Sequence, residues 1–170
     1  MFFEEYIMSF TKQQITAECQ ASGPQLAPLP STIDGTQLLW AISGNESSFG
    51  EDVLPRHEPV FDVGGAYGDN AVMQPLLVQW GRAAACSYGP WQQMFCNAPA
   101  GYTPVTYDDL HACGVAAVEQ LNKFLARWKP QGLPAIGECW NAGHPMITLS
   151  AGVGAYVHDL IGNYAVPLAA

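Results

Sequence analysis

The sequence predicts an α+β fold, mostly helical, with at most a small β-hairpin or sheet. Three observations carry this expectation. Within residues 107–129, Leu110, Cys113, Ala117, Leu121, Phe124 and Trp128 recur at spacings of three and four, which lays one apolar stripe along a helix. Shorter segments with helical start and stop signals flank it on both sides. The stretch 51–69, rich in Gly, Pro and Asp, has room for a loop or short hairpin but not for a long strand.

In chain order, a helix is expected over residues 11–20. The segment SGPQLAPLPST, with three prolines, then reads as a surface connector. Asp34 or Thr36 can cap a helix running through QLLWAISGNE. A helix is expected over 70–84 and a short one over 90–95. For the long helix, Thr106 is the candidate N-cap, and Asp108 and Asp109 sit in a first turn where the dipole favours them. Pro130 and Gly132 end it, and shorter helices follow over 134–141 and 152–164.

Composition bounds the function. The 170 residues are 49% hydrophobic and 12% charged, enough for one globular domain with a real core. Residues 1–33 read as an N-terminal helix and connector packed on a body of residues 34–170. A formal net charge of −9 argues against binding a nucleic-acid backbone. No apolar run is long enough for a membrane span. MFFEEYIMSF lacks a basic n-region and carries Glu4 and Glu5, so it does not read as a signal peptide. Of the five cysteines, Cys19, Cys86, Cys96, Cys113 and Cys139, none forms a CxxC pair. Zinc is therefore not expected, and buried thiols or one or two disulfides are both open. No cofactor is expected, and His144 has no second histidine nearby to make a metal site.

The stretch AISGNESSFG ends an apolar helix on a single carboxylate, Glu46. A helix C-terminus disfavours negative charge, and Trp40, Ile42 and Phe49 are expected to desolvate it; both effects raise a carboxyl pKa. An acid still protonated near neutrality is what general-acid cleavage of a glycosidic bond requires. An exposed glutamate on a frayed helix end is the competing reading.

Further motifs bear on this choice. Residues 84–94 read AACSYGPWQQM, 138–145 read ECWNAGHP, and YVHDLIGNY lies near the end. With Glu46-Ser47-Ser48-Phe49 they resemble, in order, the E-S-S/G-F, S-x-G-L-M-Q, Y-N-x-G and late Y-V patterns of the lytic transglycosylase and goose-type lysozyme group. The matches are Ser87-Tyr88-Gly89-Pro90-Trp91-Gln92, Trp140-Asn141-Ala142-Gly143, and Tyr156-Val157 with Tyr164. PRHEPVF at 55–61 is similar to the R-Y-E-P-x-F string of a phage-like branch, and an Arg56–Glu58 ion pair there would fix the loop beside the cleft. Two positions depart from the family: Pro90-Trp91 replaces Leu-Met, and Trp140 replaces tyrosine. Either the Trp140 indole donates where the tyrosine hydroxyl would, or another tyrosine such as Tyr164 supplies that hydroxyl.

The resemblance implies a lysozyme-like catalytic domain over 34–170, acting on peptidoglycan glycan strands with Glu46 as general acid and base. It implies cleavage of the MurNAc-β-1,4-GlcNAc bond to a 1,6-anhydro end, with Ser87, Gly89, Gln92, Trp91, Trp140, Asn141 and Tyr164 contacting substrate. Gly89 is expected to allow close backbone approach, Gln92 to lie at the start of a helix, and Tyr67 and Tyr88 to join the aromatic wall. Trp40, Trp80 and Trp128 read as core. The alternatives are a goose-type hydrolase using a second carboxylate (Asp62 or Asp69, with Glu58 behind them) or a non-catalytic wall-binding or virion protein. Action would be at the bacterial wall, whether periplasmic, extracellular or virion-borne. The export route and the oligomeric state are not legible.

Overall fold

The computed structural model describes residues 9–146, 148 and 150–168. Among these, six α-helices surround a three-stranded antiparallel sheet, a mostly helical α+β architecture. The helices are α1 (Lys12–Ser22), α2 (Gly35–Ser47), α3 (Met73–Trp80), α4 (Leu110–Trp128), α5 (Leu133–Ala142) and α6 (Ala151–Ala165). The strands are β1 (Arg56–His57), β2 (Cys86–Tyr88) and β3 (Gln93–Met94). β2 is central, with Arg56 opposite Ser87 and Ser87 opposite Met94. No described helix is long and apolar enough to cross a membrane.

Four of the six helices open on a side-chain cap. Thr11 and Gln14 form a reciprocal capping box for α1. The Asp34 side chain accepts from Gln37 N at 2.8 Å to open α2, and Ser150 does the same for α6 through Val153 N. α4 opens later than expected. Thr103 caps a separate 3₁₀ turn, Pro104–Asp108, and Asp109 then caps α4 through Ala112 N at 2.7 Å. Helix 70–84 is likewise shorter than expected: α3 stops at Gly81, whose φ of +57° breaks the helix before a 3₁₀ turn, Gly81–Ala85.

The short helix expected over 90–95 is instead the turn and second strand of a hairpin. Pro90 occupies the turn position that suits its fixed φ, and Gln92 N donates to Gly89 O at 3.0 Å. Gly89 and Gln92 both have positive φ, +69° and +43°, which no helix continues through.

One hydrophobic cluster holds the described elements together. Ile15 and Cys19 of α1, Leu38, Leu39 and Ile42 of α2, and Leu121 and Leu125 of α4 share it with Trp91, Tyr107 and Leu160. α1 therefore contributes to the same core as the body. All five cysteines are free thiols, four of them buried. Burial raises the Cys19 and Cys113 pKa values, as for thiols packed as small apolar groups.

Candidate active site

Glu46 is the penultimate residue of α2. The helix ends abruptly: Ser48 and Phe49 are both left-handed, with φ of +52° and +61°. This turns the Phe49 ring back onto Trp40, with ring centroids 4.4 Å apart. Ser47 lies inside the turn. Its hydroxyl accepts from Gly50 N at 3.0 Å and lies 2.8 Å from the Pro90 carbonyl, to which it can donate. The helix end is thus fastened to the β2–β3 turn. Trp40 and Ile42, expected beside the carboxylate, point into the core, and Phe49 covers Trp40 instead.

Glu46 opens on a cleft of about 1020 Å³ between α2, the sheet, α4 and α5. Only 9% of its side chain is exposed. Trp140 Nε1 of α5 and the Tyr156 hydroxyl of α6 both donate to Oε1, each at 3.0 Å. Arg56 Nη2 lies 3.7 Å from Oε2, beyond hydrogen-bonding range. Desolvation by burial raises the Glu46 pKa above the ordinary 4.5, against the lowering effects of Tyr156, Arg56 and Trp140. With two donors on Oε1, Oε2 is the oxygen left to carry the proton of the neutral acid.

Arg56 bridges two carboxylates, since its Nε donates to Glu58 Oε1 at 2.7 Å. Glu58 lines the same cleft, and its charge adds to the upward pressure on Glu46. Strand alternation separates Arg56 and Glu58 from His57. His57 Nδ1 accepts from Arg82, so its other nitrogen carries the hydrogen and donates to Asp62, 2.9 Å from Oδ2. Asp62 is thereby held outside the cleft lining. Asp69 is held outside it too, accepting from Gly64 N and Gln74 Nε2. Of the carboxylates weighed as a second acid, Glu58 alone shares the cleft with Glu46.

Ser87 and Gln92 both line the cleft and bond each other, the hydroxyl donating to Gln92 Oε1 at 2.9 Å. Gln92 Nε2 donates to the Gly89 carbonyl, which locks the turn. Trp140 and Asn141 line the cleft, and so does the exposed Tyr67, tilted against Phe61.

Four expected contacts lie elsewhere. Trp91 is 1% exposed, and its indole N–H donates to Leu39 O in the core, where its ring fills space rather than meeting substrate. Tyr88 stacks on Tyr107 within the same core. Gly89 approaches α4: a Cβ there would come 2.6 Å from Cys113 Sγ, so its close approach is to a helix and not to the cleft. Tyr164 sits at the far end of α6, its hydroxyl accepting from Asp34 N at 2.8 Å, while Tyr156 supplies the hydroxyl on Glu46. Trp128, read as core, is 37% exposed with Arg127 over its ring.

The cleft also presents carboxamides that motif reading did not single out, Asn45, Asn70, Gln93, Asn97 and Gln120, with Met94 and Phe124 among them. They come from five separate elements and loops, so no local spacing marks them. His144 lines the cleft rim, and no group of His, Cys, Asp and Glu that could hold a metal occurs among the described residues. Comparison with protein-family models, with curated proteins and with solved structures finds no match to this chain.

Proposed function

We propose that this protein is a peptidoglycan-cleaving muramidase of the lytic transglycosylase type. The observation that carries the reading is Glu46: a desolvated carboxyl on a large cleft, with both hydrogen-bond donors on Oε1 and Oε2 without a hydrogen bond among the described residues. Oε2–H protonates the glycosidic oxygen as the C1–O bond breaks. The oxygen of the sugar's own acetamido group attacks C1 and holds the positive charge. The Glu46 carboxylate then takes the proton of the C6 hydroxyl, whose oxygen displaces the acetamido oxygen and closes a 1,6-anhydro ring. The route consumes no water and needs one protein carboxylate. Among the lining carboxamides, those of Asn97, Gln120 and Asn141 make no hydrogen bond to the described residues; they support a neutral, hydroxyl-rich ligand such as a glycan, because a free carboxamide offers both a donor and an acceptor.

A second reading has one specific observation behind it. Glu58 shares Arg56 with Glu46, so an inverting hydrolase could use Glu58 to activate water. Mass spectrometry of digested peptidoglycan separates the two, since anhydro ends are lighter than reducing ends by one water. Anhydro products are expected. Reducing muramic ends alone would establish the hydrolase, and no sugar product from any wall preparation would leave a non-catalytic binder.

A further inference from the structure

Gln120 lies at the middle of α4, among the fully buried Ala116, Ala117 and Leu121, and is itself 8% exposed. Among the described residues its carboxamide has no hydrogen-bond partner. It is also absent from the atoms that are both unpaired and sealed from solvent, which are Trp40 Nε1, Gln93 Oε1 and the Tyr107 hydroxyl. What surface it keeps therefore opens on the cleft it lines. A buried carboxamide without a partner is costly, and an apolar residue there would extend the core stripe of α4. Its surroundings are fixed. Gln93 of β3 donates Nε2 to Ala116 O at 2.7 Å, tying the sheet to α4 one turn before Gln120. Phe124, one turn after it, lines the cleft on the same helix face, and Met94 and Cys96 add apolar wall.

We infer that Gln120 is a specificity-determining residue that reads the 2-acetamido group of a sugar in the cleft. This rests on the glycan reading above. The carboxamide donates N–H to the acetamido carbonyl, and its oxygen can accept from the acetamido N–H or a neighbouring hydroxyl. Phe124, Met94 and Cys96 receive the methyl group. A plain hydroxyl would satisfy the carboxamide but leave the apolar wall unfilled.

The test is binding rather than cleavage. Glu46→Gln protein, with and without Gln120→Met, is titrated with peptide-free glycan strands, either N-acetylated or de-N-acetylated. At about 0.5 M salt the screening length is about 4 Å, and any residual attraction to the amines favours the wrong strands for a chain of net charge −9. Acetylated strands should bind about tenfold more tightly, the effect of one desolvated hydrogen bond with its methyl contact. Gln120→Met should erase that preference, weakening the acetylated strands about tenfold more than the de-N-acetylated ones, which a merely structural role would not do. Gln120→Asn, which keeps the carboxamide on a shorter stem, should restore part of it. If Gln120→Met keeps the preference, or if there is no preference to erase, the inference is overturned and the muramidase reading stands. If neither strand binds and wild-type protein yields no product, both fail.

Discussion

Replacing Glu46 by Gln should remove the activity and, at alkaline pH, leave the protein at least as stable as before. Both donors to the carboxyl converge on Oε1. Gln with its oxygen in that place keeps both bonds, and its NH₂ takes the position of Oε2. What is lost is the 3.7 Å contact with Arg56, whose side chain is 55% exposed. At that exposure and distance the contact is worth under about 1 kcal/mol. What is removed is a buried charge. Because the folded pKa lies above the ordinary 4.5, folding favours the protonated acid. The wild type therefore loses stability as pH rises from about 4.5 through the folded pKa, and Gln does not. The difference in favour of Gln grows by about 1.4 kcal/mol for each unit of the shift, and vanishes once both proteins are neutral at this site.

Thermal unfolding of both proteins between pH 4 and 8, alongside turbidity clearing of cell walls, reads both effects. For a chain of this size about 1 kcal/mol moves the midpoint by roughly 2–4 °C. Turnover should fall by about 10²–10⁴-fold, the usual worth of a general acid–base group. A variant that clears walls at the wild-type rate, or one that is less stable than wild type by more than about 1 kcal/mol at pH 8, refutes the reasoning.

Other perturbations address the surrounding groups. Tyr156→Phe removes one donor from the Glu46 carboxylate, so the Glu46 pKa rises further and the alkaline limb of the rate profile should move to higher pH; an unmoved limb would detach Tyr156 from the acid. Trp140→Tyr keeps a donor in reach of Oε1 and should retain activity, whereas folded but inactive Trp140→Tyr would show that the indole itself is required. Asp62→Asn and Asp69→Asn should leave turnover essentially unchanged, because both carboxylates are committed to loop contacts; Glu58→Gln, assayed beside them, should cost about 10²-fold or more only if water is the nucleophile. Gly44→Ala should destabilise the fold by about 1–3 kcal/mol in chemical denaturation, since the new methyl would lie 2.6 Å from the Phe49 ring and 2.9 Å from Asn163 Nδ2.

The sequence revealed what is local or periodic. The α4 stripe, a cap at Asp34 or Thr36 and the placement of Glu46 at a helix end are all visible within a few residues, and the helical class follows from them. Trp140 was legible as a donor because indole has one hydrogen-bonding group and little choice of use. The errors arise where a local pattern has two structural solutions. Pro90 suits both a helix start and a tight turn, and only the positive φ values of Gly89 and Gln92 decide for the hairpin. Trp91 could have faced the cleft or the core, and the Leu39 carbonyl of α2, which accepts its indole N–H, holds it in the core. Tyr156 and Tyr164 share α6, yet eight residues separate them by about 12 Å of rise, so only one can meet Glu46. Nothing in the sequence says which, because the register of α6 against α2 is set by tertiary contacts such as Asn45 Nδ2 to Tyr156 O.

That register explains why the short E-S-S-F string matters more than its length suggests. Asn45, adjacent to the acid, holds α6 by donating to the Tyr156 carbonyl and accepting from Asn163, which positions the Tyr156 hydroxyl on Oε1. Ser47, on the other side of the acid, reaches the Pro90 carbonyl, and so positions the turn that carries Gln92. Ser48 and Phe49 end the helix in two left-handed residues, a conformation that side chains adopt only against a cost. The Phe49 ring offsets that cost by packing on Trp40 and over Gly44, where no side chain intervenes. The carboxyl is thus fixed from both neighbours and from the turn behind it, while its own Oε2 is left without a protein hydrogen bond among the described residues. An acid immobilised by residues that do not consume its reactive oxygen is the arrangement that general-acid catalysis needs, because the group enters the transition state without first reorganising.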